Sequence, residues 1–230
     1  MGTGIAQPVF TPETFQFFRQ LKRNNHKVWM DKNRQRYQEC IVKPFRRLLE
    51  EVTPAILEID ERFEINGKTG KNFSRINRDI RFAKDKTLYK PQMYLKFQHP
   101  SPEKRENGQL YVSLAVDCVT AGFRIYCGAK RRESKLAMIA VPRVAENPQW
   151  VREQKRRLGR QYESYWYETQ KGDWTKREGW PTEPEHWKKI RAWIVRKKMA
   201  PECATKRVFV NDLAKLWKEL YPLLEFTSIP

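Results

Sequence analysis

Arg75-Ile76-Asn77-Arg78-Asp79-Ile80-Arg81-Phe82-Ala83-Lys84-Asp85-Lys86-Thr87-Leu88-Tyr89 carries five cations against two carboxylates, and Lys71 and Lys90 bracket it. Period-two spacing predicts a strand from Arg75 to Phe82. Arg75, Asn77, Asp79 and Arg81 then share one face, and Ile76, Arg78, Ile80 and Phe82 share the other. An aspartate between two arginines on one row can orient a guanidinium, which then grips an anion through two parallel hydrogen bonds. The stretch is therefore read as an anion site where helical sequence gives way to strand sequence.

On its N-terminal side the pattern is helical. Thr11-Pro12-Glu13 combines an N-cap, a proline at the first helical position and an acid near the positive end of the dipole. Phe15, Phe18 and Leu21 follow at helical spacing, and Asn24-Asn25 suits a left-handed C-cap. A second helix is expected over 31–52 from Tyr37, Ile41, Phe45, Leu48 and Val52, with a kink or break before Pro44. A further helical turn follows Thr53-Pro54, and 66–70 reads as an exposed glycine turn. The second glycine of that turn leads to Lys71-Asn72 and strand signals, which excludes a phosphate loop.

On the C-terminal side the pattern alternates. Residues 93–98, 110–118 and 122–127 read as strands, with the last two joined at 119–121. Residues 101–108 form a charged loop, and Gly128 marks a bulge or a close approach. Helix returns from Glu133 to Pro142 and again near Asn147-Pro148, where Arg152, Lys155, Arg156, Arg157 and Arg160 face outward. Tyr162, Tyr165, Trp166, Tyr167, Trp174, Trp180 and Trp187 crowd 161–187 among cations. They read first as core residues with polar handles, and otherwise as base-stacking rings. Residues 188–199 form a helix or a strand, and Asn211 caps a last helix ending at Pro222. Strands in the middle and helices at both ends predict an α+β fold, a mainly antiparallel sheet with helices packed on it, in one domain over 1–230 with its core at about 9–227.

Composition narrows the partners. With 230 residues, 40% hydrophobic and 13% aromatic, the chain can close a core. Its net charge of +19 points to a polyanion, such as nucleic acid, or to a phosphorylated small molecule. Cys40, Cys118, Cys127 and Cys203 form no C-x-x-C pair, so reduced thiols are expected rather than a zinc ribbon or a disulfide scaffold, although Cys118 and Cys127 can meet across a hairpin. The opening M-G-T-G-I-A-Q-P lacks the regions of a signal peptide, and no stretch reaches the ~20 apolar residues of a membrane span. A cytoplasmic protein is the expectation.

Arg75, Arg78, Asp79, Arg81, Phe82, Lys86 and Tyr89 together match R-x-x-R-D-x-R-F-x-x-x-K-x-x-Y, and with it the chain resembles a mostly bacterial family, the domain of unknown function numbered 2461. The likeness extends to the Phe10–Trp29 block and to Tyr221-Pro222-Leu223-Leu224-Glu225-Phe226, nearly the whole chain. Ala83 departs from it, since relatives commonly carry serine there. The resemblance implies a fold and supplies no biochemical activity.

His26, His99 and His186 lie apart, and neither a G-x-S-x-G elbow nor an H-E-x-x-H pair is present, so neither a serine triad nor a histidine metal site is read. No cofactor is expected. Three readings of the motif remain. In the first, Arg75, Arg78, Arg81, Lys84, Lys86 and Tyr89 wall an anion site for phosphate, nucleic acid included. In the second, Asp79 or Asp85, with Lys86, serves a metal-dependent hydrolase or transferase on a phosphorylated substrate. In the third the motif is an ion-paired brace without a ligand. The Asn24-Asn25-x-x-x-Trp29 block is a candidate to join whichever site forms.

Overall fold

A computed structural model describes residues 7–81, 83–100, 107–127, 135–170 and 173–228. Phe82, most of the charged loop, Gly128 and Glu133 lie outside these residues. The fold is α+β, with helices at both ends and a six-stranded antiparallel sheet. Its strands are β1 (Gln92–Phe97), β2 (Gln109–Ala115), β3 (Val119–Tyr126), β4 (Glu163–Gln170), β5 (Asp173–Glu178) and β6 (Ile190–Met199), in the order β1-β2-β3-β6-β4-β5. The chain groups into two compact units. The first comprises Met1–Lys96, Val112–Thr120 and Lys198–Lys215, the second Phe97–Tyr111, Ala121–Lys197 and Leu216–Pro230.

The first unit is built on helices α1 (Pro12–Arg23), α2 (Lys27–Lys32), α3 (Arg34–Tyr37) and α4 (Lys43–Ile59). Phe10, Phe15, Phe17, Phe18, Phe45 and Leu48 are fully buried, and Phe10 meets Phe45 edge to face at 5.1 Å. Arg36 ties α3 to α1 by donating from Nε to Glu13 Oε1 at 2.6 Å. Thr11 holds the N-cap position, but its backbone carbonyl rather than its hydroxyl does the capping, accepting from Thr14 N at 3.0 Å. Asn24 caps the other end at φ −123°, outside the left-handed region, with its side-chain amide donating to Gln20 O at 3.0 Å. The single helix expected over 31–52 is instead three pieces with a π-helical turn at Gln38–Val42, and α4 starts immediately before Pro44. The backbone stays helical through Val42 and Lys43, so the irregularity expected before Pro44 is a widened π-helical turn rather than a break. α4 then runs through Pro54, beside which Thr53 Oγ1 donates to Leu49 O at 2.6 Å.

The second unit contains α5 (Lys135–Glu146), α6 (Trp150–Leu158), α7 (Pro184–Lys189) and, from Leu216 onward, the end of α8 (Phe209–Thr227). Its core is built from indoles. Trp193 stands edge to face with Phe123, Trp180 and Trp187 at 5.5, 5.7 and 5.3 Å. The ring nitrogens of the three fully buried tryptophans are satisfied: Trp187 Nε1 donates to Pro181 O at 2.8 Å, Trp193 Nε1 to Ser164 Oγ at 3.0 Å and Trp217 Nε1 to Tyr111 O at 3.2 Å. Gly122 on β3 allows a close approach, since a Cβ there would sit 2.2 Å from Val195 O.

Three further boundaries differ from expectation. The β2–β3 connection is 116–118, three residues earlier than 119–121, and is closed by Ala115 N donating to Cys118 O at 2.9 Å, because fully buried Val119 is taken into the strand. Residues 190–199 resolve to strand. Helices α5 and α8 run through Pro142 and Pro222, and α8 starts at Phe209 rather than after Asn211. The cysteines are free thiols. Among the described residues no helix is long and apolar enough to cross a membrane.

Candidate functional site

Residues 75–81 form no strand. The segment is irregular and is held by isolated bridges, Phe73 with Leu95 and Asn77 with Tyr89. Its polar side chains bond locally and compete with ladder pairing. The period-two alternation survives nevertheless, with Ile76 buried between exposed Arg75 and Asn77.

Most of the cations are engaged within the segment. Arg81 forms a fork on Asp79, from Nε to Oδ1 at 2.9 Å and from Nη2 to Oδ2 at 2.7 Å. These side-chain bonds, with a backbone N–H of Arg81, lower the Asp79 carboxyl to about 2. Arg78 Nη1 donates to Asp85 Oδ2 and to Thr87 Oγ1, the latter at 2.6 Å. Asp85 also accepts from Thr87 N at 2.9 Å, and bonds from Thr87 and Arg78 lower its pKa. Lys86 Nζ donates to Ile80 O at 3.1 Å, whereas Lys84 is exposed. The two carboxylates considered for catalysis are thus the acceptors of these arginines. Among the described residues no group of three or more His, Cys, Asp or Glu side chains is arranged to hold a metal ion.

Tyr89 is buried, and the Asn24-Asn25 block joins the segment through it. Asn25 Nδ2 donates to Tyr89 O at 2.8 Å, and Tyr89 N donates to Asn25 Oδ1 at 2.9 Å. The asparagine therefore satisfies both backbone groups of the last motif residue, much as a neighbouring strand would.

Arg75 behaves differently. It lines a recess of about 410 Å³ together with Arg46 of α4, Tyr37, Ser74 and the buried apolar Phe73 and Met93. Both arginines are exposed, and neither side chain has a hydrogen-bond or ion-pair partner among the described residues. Burial raises the Tyr37 phenol against the opposing pull of Arg34, so it stays a neutral hydroxyl donor. Arg46 was invisible to sequence reasoning. It follows buried Phe45 on α4 and reads as one more solvent-facing helical cation; only the packing of α4 beside Arg75 distinguishes it.

Residues 13–226 match the family described as a conserved hypothetical protein, DUF2461. No curated protein and no solved structure matches the chain.

Proposed function

The chain belongs to the DUF2461 family, whose function is unknown, and we propose that it holds a phosphate-bearing anion in the recess between Arg46 and Arg75. The observation that carries the proposal is the pair of arginines lining one recess, neither of them ion-paired to a carboxylate among the described residues. Like charges gathered at one concavity repel, and an anion held by both relieves that repulsion while accepting charge-assisted hydrogen bonds. The volume lies within the ~300–1,000 Å³ of small-molecule sites, so an organic group attached to the phosphate fits beside Phe73 and Met93.

Arg78, Arg81 and Lys86 have a different part. Their bonds to Asp85, Asp79 and Ile80 O favour the brace reading for this portion of the motif, which shapes the segment carrying Arg75.

Calorimetric titration with inorganic pyrophosphate at low salt tests the site. Arg46→Ala and Arg75→Ala should each lower affinity by about tenfold or more, the scale of one lost charge-assisted bond, whereas Arg81→Ala should leave it unchanged. Absence of binding to the wild type, or an equal loss from Arg81→Ala, overturns the assignment.

A further inference from the structure

The second unit carries a group of aromatic side chains that its core does not absorb. Side chains alternate across β4, so Trp166 and Glu168 point to one side of the sheet and Tyr165 and Tyr167 to the other. Trp166 lies on the side of the buried indoles, 5.0 Å from the His186 ring. On the opposite side Tyr165, Ala192 and Ile194 form a small buried layer, and Tyr167 packs against it. From that layer the rings continue outward: Tyr167 stands edge to face with Tyr165 at 5.9 Å and with Trp174 of β5 at 5.9 Å. Trp174 is 43% exposed and Tyr126 at the end of β3 is 42% exposed. On β3 Phe123 meets Trp193 on the side of the indoles, so Arg124 and Tyr126, of the other parity, point to the side of Tyr165.

Cations interleave these rings. Lys176 Nζ sits 4.2 Å from the centre of the Tyr165 ring, the Arg196 guanidinium 5.0 Å from the same ring, and the Arg124 guanidinium 4.4 Å from that of Tyr111. Glu178 and Glu163 pair with Lys176 and Arg196. An aromatic face built only for packing would bury its outermost rings, yet Trp174 and Tyr126 are open to solvent on a chain of net charge +19. Flat, rigid rings alternating with cations suit a ligand that offers aromatic faces and negative charges in alternation.

We infer that this sheet face binds single-stranded nucleic acid, with bases stacking on Trp174, Tyr167 and Tyr126 and the phosphates held by Arg124 and, in exchange for the solvent-exposed Glu178 and Glu163, by Lys176 and Arg196. A duplex presents its bases edge-on inside a stack and cannot use the rings, whereas a single strand exposes a π-face at every base. Binding is accordingly tolerant of sequence and salt-dependent. The surface shares no residue with the Arg46–Arg75 recess, so either can fail without the other.

The experiment is fluorescence anisotropy of the full chain with an end-labelled 20-nucleotide thymidine strand, its abasic counterpart and a duplex of equal length, at two salt concentrations. The thymidine strand should bind at least tenfold more tightly than either competitor. A variant carrying Trp174→Ala and Tyr126→Ala should lose about tenfold or more in affinity for that strand, the scale of stacking contributions, while Trp174→Phe retains most of it. Both rings are exposed, and an unchanged circular dichroism spectrum verifies that the double variant is folded. No binding, equal affinity for the abasic strand or the duplex, or a folded double variant that binds like the wild type each overturns the inference.

Discussion

Two segments of this protein are each dense in one kind of side chain, cations in 75–89 and aromatics in 161–187, and they dispose of that density in opposite ways. In the cationic segment the chain follows no sheet, and neighbours within a few residues satisfy Arg78, Arg81 and Lys86. In the aromatic segment β4 pairs with β5 and β6, and the pleat sorts the rings by parity. Trp166 goes to the side of the core and Tyr167 to the side with Trp174. Local bonding neutralises a cluster, whereas ladder pairing separates it into two chemically distinct faces.

The comparison breaks first at the core. Trp193→Ala should destabilise the protein by about 3–5 kcal/mol in urea unfolding, the range for removing a buried aromatic, while Trp174→Ala stays within about 0.5 kcal/mol. Equal losses would mean that the pleat does not sort the rings. Next comes the clamp on the cationic segment: Asn25→Ala leaves two backbone groups of Tyr89 without their partner and should cost about 1–3 kcal/mol. A neutral result would mean that local pairing alone holds the segment. The smallest effect is protonic. Asp79 has its folded-state pKa lowered to about 2 from 3.8, so its contribution to stability is present above the unfolded value and disappears as pH falls through about 2. Carbon-detected NMR should show Asp79 titrating near that pH, and Arg81→Ala should return it toward the ordinary carboxylate range.

Much of the fold was legible because its signals are periodic. Phe15, Phe18 and Leu21 mark α1 and the alternation of 93–98 marks β1, so strands between helical ends followed directly. Prolines were the weak point. Pro44 follows a π-helical turn in continuous helical backbone, and Pro54, Pro142 and Pro222 sit inside helices, where tertiary packing outweighs one missing hydrogen bond. At the candidate site, the sequence named Arg75 and the Asn24-Asn25 block, which lie at the recess and against Tyr89, but could not separate Arg75 from Arg78 and Arg81. That distinction depends on which carboxylate each guanidinium reaches, and Asp79 and Asp85 lie at spacings compatible with several pairings. Arg46 required the three-dimensional placement of α4. The aromatics of 161–187 were read mainly as core, which holds for Tyr162, Tyr165, Trp166, Trp180 and Trp187 and fails for Trp174.

The two hydrogen bonds between Asn25 and Tyr89 span a sequence separation of 64 residues. Closing a loop of that length costs chain entropy that two hydrogen bonds cannot recover early in folding. The clamp therefore forms after the α1–α2 junction and the segment before β1 that it bridges have come together, and it acts on how fast the native state opens rather than on how fast it is reached. Asn25 is in that sense a latch: its loss should appear as faster unfolding at nearly constant refolding rate, and the motif segment should be among the first parts of the first unit to exchange its amide protons.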